Sequence, residues 1–305
     1  MKPHAIPRMT LLGISICLIF PLSPLSAQKP LELEDIQCKF SHGDHPGLSL
    51  TIPETQYDDI AKAWTKKMEK GTKSDIAIEN GEYSIFGAQL PEISENPVNV
   101  YSILRAKDSA IVLDVSIELK PKEFAAKSQS EKEYALFRDY LYQFGKEEYT
   151  SVADNQQKEE EKKLKMLEKE LTSLNNAKTR LEKDIVSENA NILEFEDKIA
   201  LLKTDASNLN DQIGQEKTLL IGLKDEEAKK AKEEQIKDLE KDKKSILKDI
   251  ENFQKRIVDS KSAIHKAELD IESNVNEQLA KTGEIDAQKV VVQAASTKLN
   301  TIMGY

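Results

Sequence analysis

The chain has 305 residues, room for about two domains, and its 44 basic and 54 acidic residues leave a net charge of −10. That sign opposes a phosphate backbone and an anionic lipid surface, so nucleic-acid binding and simple membrane adsorption are disfavoured from the start. Of the two cysteines, Cys17 lies in the N-terminal segment and Cys38 is left alone in the remainder, which excludes an internal disulfide framework there.

The N-terminus has its own pattern. Lys2 and Arg8 precede an apolar run over 9–22, which Pro21 and Pro24 break before Ser26 and Ala27. The order basic, apolar, small predicts a secretory signal peptide over 1–27, and hence export to a periplasmic or secreted location. The run is too short to span a bilayer comfortably. Leu25 stands where a small residue is expected before the cut, so an uncleaved N-terminal anchor is the alternative. Without residues 1–27 the chain carries 42 basic and 54 acidic residues, a charge of −12. No later segment is long and apolar enough to predict a transmembrane helix.

All ten prolines lie at or before Pro121. Because proline breaks helices, this asymmetry predicts a compact first part over 28–150 and a long helical part over 151–305. The first part is expected to be α+β. LELEDIQCKF and GLSLTI alternate apolar and polar residues, with Ile36, Cys38 and Phe40 on one strand face and Leu48, Leu50 and Ile52 on another. TQYDDIAKAWTKKMEK switches to helical spacing, with Tyr57, Ile60, Ala61, Trp64 and Met68 in one stripe and Thr55 and Asp58 placed to cap its start. In IAIENGEYSI, Asn80-Gly81 suits the two-residue turn of a hairpin, which needs positive φ. VNVYSIL and SAIVLDVSIEL predict two longer strands joined at AKDS. SEKEYALFRDYLYQFGKEEY predicts a second helix. The order ββαββββα implies an antiparallel sheet with two helices packed on one face.

From residue 151 the charged fraction rises, with 27 basic and 32 acidic residues in 155. The stretch LKMLEKELTSLNNAKTRLEKDI opens a seam with steps of three and four, and fifteen of its eighteen positions from Leu164 to Leu223 are apolar. A seam of that length predicts a coiled coil. A second seam runs from Ile236 to Ile271, but it starts 16 residues after Leu220, two heptads plus two. That slip fits neither insertion a continuous supercoil absorbs, so a turn near 224–235 and an antiparallel hairpin are expected. A register in which facing numbers sum to 459 sets Glu216 against Lys243, Ala206 against Phe253, Ile192 against Ala267 and Phe195 against Ile264. One continuous rod that dimerises is the alternative. The apolar stretch KVVVQAASTKLNTIM is expected to pack on the base of the hairpin or on the first domain.

Residues 38–45, CKFSHGDH, gather Cys38, His42, Asp44 and His45, and thiolate and imidazole suit zinc or copper. The same stretch reads as a polar surface turn between two strands with Cys38 facing inward, and that reading is preferred, so no metal ligand is assigned. His265 falls outside the seam and is expected to be solvated. Gly145-Lys146 has Tyr140 where a phosphate-binding loop needs glycine, and neither G-x-S-x-G nor H-E-x-x-H occurs. No catalytic residue, cofactor or small-molecule substrate is indicated. The aromatic cluster Tyr134, Phe137, Tyr140, Tyr142 and Phe144, with Leu141 among them, suits core packing first and a partner surface second.

These features imply a non-enzymatic exported envelope protein. Its coil would be an arm or spacer, with a small docking domain and a protein partner or self-association. A holdase chaperone for outer-membrane clients is one alternative: a small β-containing body with helical arms resembles Skp-like chaperones, although the acidic charge departs from their basic surface. A regulator of cell-wall hydrolases is another.

Overall fold

In the computed structural model, residues 29–304 are described; the expected signal peptide over 1–27 lies outside them. The strands are β1 (Glu32–Phe40), β2 (Gly43–Pro53), β3 (Ala77–Glu79), β4 (Glu82–Ala88), β5 (Val98–Lys107), β6 (Ala110–Lys120) and β7 (Glu123–Phe124). The helices are α1 (Tyr57–Glu69), α2 (Glu131–Gly222) and α3 (Glu226–Met303). The fold is α+β with a helical hairpin. It divides into two compact units: the described residues up to Lys158 together with those from Gln293 onward, and Glu159–Val292.

In the first unit an antiparallel sheet runs in the order β1-β2-β6-β5-β4-β3, with β7 paired to β6. Alternation sets its two faces. Leu48, Leu50 and Ile52 of β2, Val98, Val100 and Leu104 of β5, and Ile111, Leu113, Val115 and Ile117 of β6 point into one core. Ile60, Trp64 and Met68 of α1 cover it, with Phe137, Leu141 and Phe144 from the start of α2 and Ile302 from the end of α3. The last stretch of the chain therefore packs on the first domain. Of the aromatic cluster of α2, Phe137 and Phe144 are fully buried and Phe144 meets Trp64 edge-on at 5.1 Å, while Tyr134 and Tyr140 pack half-buried against the core and Tyr142 is half-buried. Trp64 Nε1 donates to Ser102 Oγ at 2.8 Å, so the buried indole keeps a partner.

Local chemistry explains the joints. Asn80 and Gly81 have φ of 52° and 84°, as the tight β3–β4 turn requires. The start of α1 differs from expectation. Gln56 is its cap residue and makes no side-chain cap bond, while Thr55 Oγ1 turns back to the Ile52 carbonyl at 2.9 Å. The expected capping by Thr55 and Asp58 is thus replaced by a bond that ties the strand end.

In the second unit, the α2 and α3 segments pack antiparallel. The seams keep their three-four rhythm, with Ile192, Phe195, Ile199, Ala206 and Ile213 buried on one side and Ile236, Ile250 and Ala267 on the other. At about 1.5 Å rise per residue, the helical span 159–222 is on the order of 95 Å long. The turn is Leu223–Lys224–Asp225, at the near edge of the expected span. Asp225 opens α3, its carboxylate accepting from the Ala228 amide at 3.3 Å and its carbonyl from the Lys229 amide at 3.1 Å.

The register is not the one the seams suggest. Phe195 packs on Phe253 with ring centroids 5.7 Å apart, Lys232 bonds Glu216, Lys243 bonds Asn210 at 2.6 Å, and Gln288 Nε2 donates to the Glu160 carbonyl at 3.1 Å. These facing numbers sum to between 448 and 453 rather than 459. The pairs Glu216–Lys243, Ala206–Phe253, Ile192–Ala267 and Phe195–Ile264 are accordingly replaced. A slide of about 11 residues is close to three helical turns, so both apolar stripes still meet after it. Periodicity alone leaves the two registers nearly equivalent, and the polar ties and the short turn select between them.

Candidate functional site

The face of the sheet turned away from the helices carries the chemistry that the core does not use. By alternation it presents Cys38 and Phe40 of β1, His45 and Ser49 of β2, Asp114, Ser116 and Glu118 of β6, Asn99, Tyr101 and Arg105 of β5, and Phe86 of β4. The β1–β2 hairpin does not stay flat at the sheet edge. Its tip residue Ser41 reaches β4, where its amide and hydroxyl donate to the two oxygens of Glu82 at 2.7 and 2.9 Å. The tip therefore crosses β6 and β5 and roofs one end of this outer face.

Under the roof lies an aromatic cluster. His45 stacks on Phe124 with centroids 4.3 Å apart, His42 lies 4.4 Å from Tyr101, and the two imidazoles are 4.9 Å apart. Phe40 stacks on His42 at 5.5 Å, and the exposed Phe86 meets Tyr101 edge-on at 6.0 Å. Such contacts contribute roughly 0.5–1.5 kcal/mol each beyond area burial. Gly47 permits the crossing. A Cβ there would sit 2.3 Å from the Val115 carbonyl oxygen and 2.6 Å from Cys38 Sγ.

The residues singled out as metal candidates are placed as follows. HGDHPG is mostly strand rather than a surface turn: β2 begins at Gly43, and Cys38 pairs with His45 in the ladder. Pro46 is accommodated because β6 joins β2 only from Leu48 onward, so its missing N–H interrupts no bond on that side. Cys38 is buried, as expected of an inward residue, but under the hairpin on the outer face. Its thiol lies 3.7 Å from the Val115 carbonyl, and burial, then Asp114, pushes its pKa up to about 12. A protonated thiol is a poor metal ligand and a poor nucleophile. Asp44 points to the opposite side of its strand from His45, paired with Lys39. Among the described residues, no three His, Cys, Asp or Glu side chains are grouped to hold a metal ion.

The polar groups around the cluster are mutually satisfied. Glu118 accepts from Asn99 at 2.9 Å, from Tyr101 at 3.3 Å and from the Lys122 amide at 2.8 Å. Burial opposes the Glu118 charge, yet these bonds, the Asn99 amide foremost, hold its carboxyl below the usual range. Asp114, 3% exposed, pairs with Arg105 at 2.5 Å and accepts from Ser49 at 2.7 Å. His45 Nε2 is the exception, a buried nitrogen with no hydrogen-bond partner among the described residues. Burial, then the neighbouring His42, lowers the His45 pKa from its ordinary 6.5. The sequence pattern points to both histidines but not to their company. Tyr101, Glu118 and Phe124 join them only because the hairpin folds over, and no local pattern signals that.

No protein-family model matches the chain, and no curated protein matches it. Among the described residues no helix is long and apolar enough to cross a membrane.

Proposed function

We propose that the protein is a non-enzymatic, exported envelope protein, acting in the periplasm or outside the cell. Its helical hairpin would serve as a coiled-coil arm or spacer and its sheet unit as the part that docks on a protein partner. The observation that carries this reading is the second unit itself. Two helices consume each other's apolar stripe, hold register with polar ties such as Lys281–Glu170 and Gln288–Glu160, and present charged side chains outward. A unit so built gains its stability from pairing and suits spacing or gripping better than enclosing a substrate. The pattern of residues 1–27 supports export. Crosslinking in intact cells, followed by fractionation and identification of what is captured with the full chain, tests the proposal. Recovery in the cytoplasm without a specific partner would defeat it.

The holdase reading draws on one specific feature. Leu193, Leu201, Ile221 and Leu279 are 64–85% exposed on the hairpin, scattered apolar contacts of the sort an unfolded client could use. Isolated exposed apolar residues are also ordinary on protein surfaces, so this reading ranks second. Suppression of the aggregation of an unfolded membrane protein in vitro would put it first.

A further inference from the structure

The roof over the outer face rests in part on His45, an imidazole that can gain a charge as pH falls. Among the described residues, three kinds of attachment hold the tip of the β1–β2 hairpin across the sheet: the Ser41 bonds to Glu82, the Ser116 hydroxyl donating to the Pro46 carbonyl at 2.7 Å, and the ring contacts of Phe40 and His42 with Tyr101 and of His45 with Phe124. We propose that this tip, residues 40–46, is a pH-operated flap, closed while His45 is neutral and released from Tyr101 and Phe124 when it takes up a proton.

The geometry makes protonation and closure incompatible. His45 Nε2 is buried without a partner among the described residues, so a second N–H placed on that ring would be a charged donor with nothing to receive it. His42, 4.9 Å away, further disfavours a positive charge on His45. Other titratable groups lie around the tip. On the hairpin these are Asp44, on the opposite strand face from His45, and the protonated Cys38 thiol, paired with His45 in the ladder; on β4, Glu82, bonded to Ser41; on β5, Tyr101; on β6, Glu118; beside β7, Lys122, whose amide bonds Glu118, and Glu123. Glu118 and Asp44 attract a cation on His45, but burial and His42 oppose it more strongly, and the neutral form is favoured. A group with a lowered pKa stabilises the closed state fully above its ordinary value of 6.5 and withdraws that support as pH falls through the lowered value. Opening uncovers Phe40, Tyr101 and Phe124 together, an apolar surface that the closed tip hides. The flap does not depend on what the helical hairpin holds.

Hydrogen exchange of the full chain, compared at about pH 7.5 and about pH 5.5 after correction for intrinsic rates, tests it. The amides of 40–45 should lose protection at the lower pH, because the open tip binds a proton more tightly than the closed one, while β5 keeps its protection. His45→Phe retains the stack without the charge and should stay closed at both values. His42→Gln removes the neighbouring ring that disfavours a charge on His45 and should move the opening to lower pH. Glu82→Gln keeps an acceptor for Ser41 and should leave the opening in place. Equal protection of the wild-type tip at both pH values would overturn the proposal, as would an opening unchanged in His45→Phe. So would an opening that vanishes in Glu82→Gln, or loss of protection in β5 together with the tip.

Discussion

The sheet unit and the helical hairpin solve the burial problem in different ways. In the first, residues from four strands and three helices converge on one volume, and Leu48, Leu50, Ile52, Leu113 and Met68 have no exposed surface at all. In the second, each helix has one neighbour along its seam, and even core residues such as Ile213 and Ile250 keep 7–8% of their surface exposed. A many-sided core fixes each side chain by contacts from several directions. A two-helix seam fixes it from one, so polar ties and a turn must supply the register.

The most decisive way to break this comparison is a cross-linking pair. Cysteines at Ile199 and Ile250, whose numbers fall in the observed register, should close a disulfide under mild oxidation. Cysteines at Leu209 and Ile250, offset along the helices by about ten residues, should not. The opposite result, read by mobility on non-reducing gels, would restore the register based on a sum of 459.

Truncation sharpens the contrast in energy. Leu113→Ala leaves a cavity ringed on every side and should destabilise the sheet unit by about 2–5 kcal/mol in denaturant unfolding. Ile199→Ala, in a two-helix seam where the side chain keeps 7% of its surface exposed, should cost less, about 2 kcal/mol. Equal losses would mean that the seam is as tightly packed as the core.

A smaller effect is expected where the end of α3 meets the sheet. Lys298 Nζ pairs with Glu54 and donates to Gln156 Oε1 at 2.8 Å. Burial alone would raise the Glu54 pKa, but the bonds from Lys298 and Gln156 outweigh it and lower it from 4.5. The stabilisation is therefore present above the ordinary carboxylate value and lost as pH falls through the lowered one. Lys298→Met should cost about 1 kcal/mol near neutrality, because both side chains are only partly buried. The difference from wild type should shrink in acid; a constant difference across pH would refute the ion pair as its cause. Asp225→Ala removes the exposed cap of α3 and should cost least, about 0.5–1 kcal/mol, seen as fraying of the first turn of α3 by exchange.

Local chemistry was enough for much of the fold. Asn80-Gly81 marks its turn because few other pairs tolerate two positive φ values. The stripe Ile60, Trp64 and Met68 marks a helix because only a 3.6-residue period brings them together. The absence of proline beyond Pro121 marks the long helices. Where expectation and structure part, the local signal is degenerate. HGDHPG has turn residues yet is strand, because pairing with β1 outweighs propensity. The hairpin register differs by about three turns because periodicity repeats with the helix.

The sequence by itself therefore determined which residues are apolar on which face of each element, since that follows from spacing along one chain. Only the tertiary structure decided which faces meet. The crossing of the hairpin tip to Glu82, the gathering of His42, His45, Tyr101 and Phe124, and the pairing of Phe195 with Phe253 depend on contacts between residues far apart in number. Their physical reason is the same: an apolar or hydrogen-bonding group is satisfied by whatever partner the whole packing brings to it, and no short stretch of chain encodes that partner.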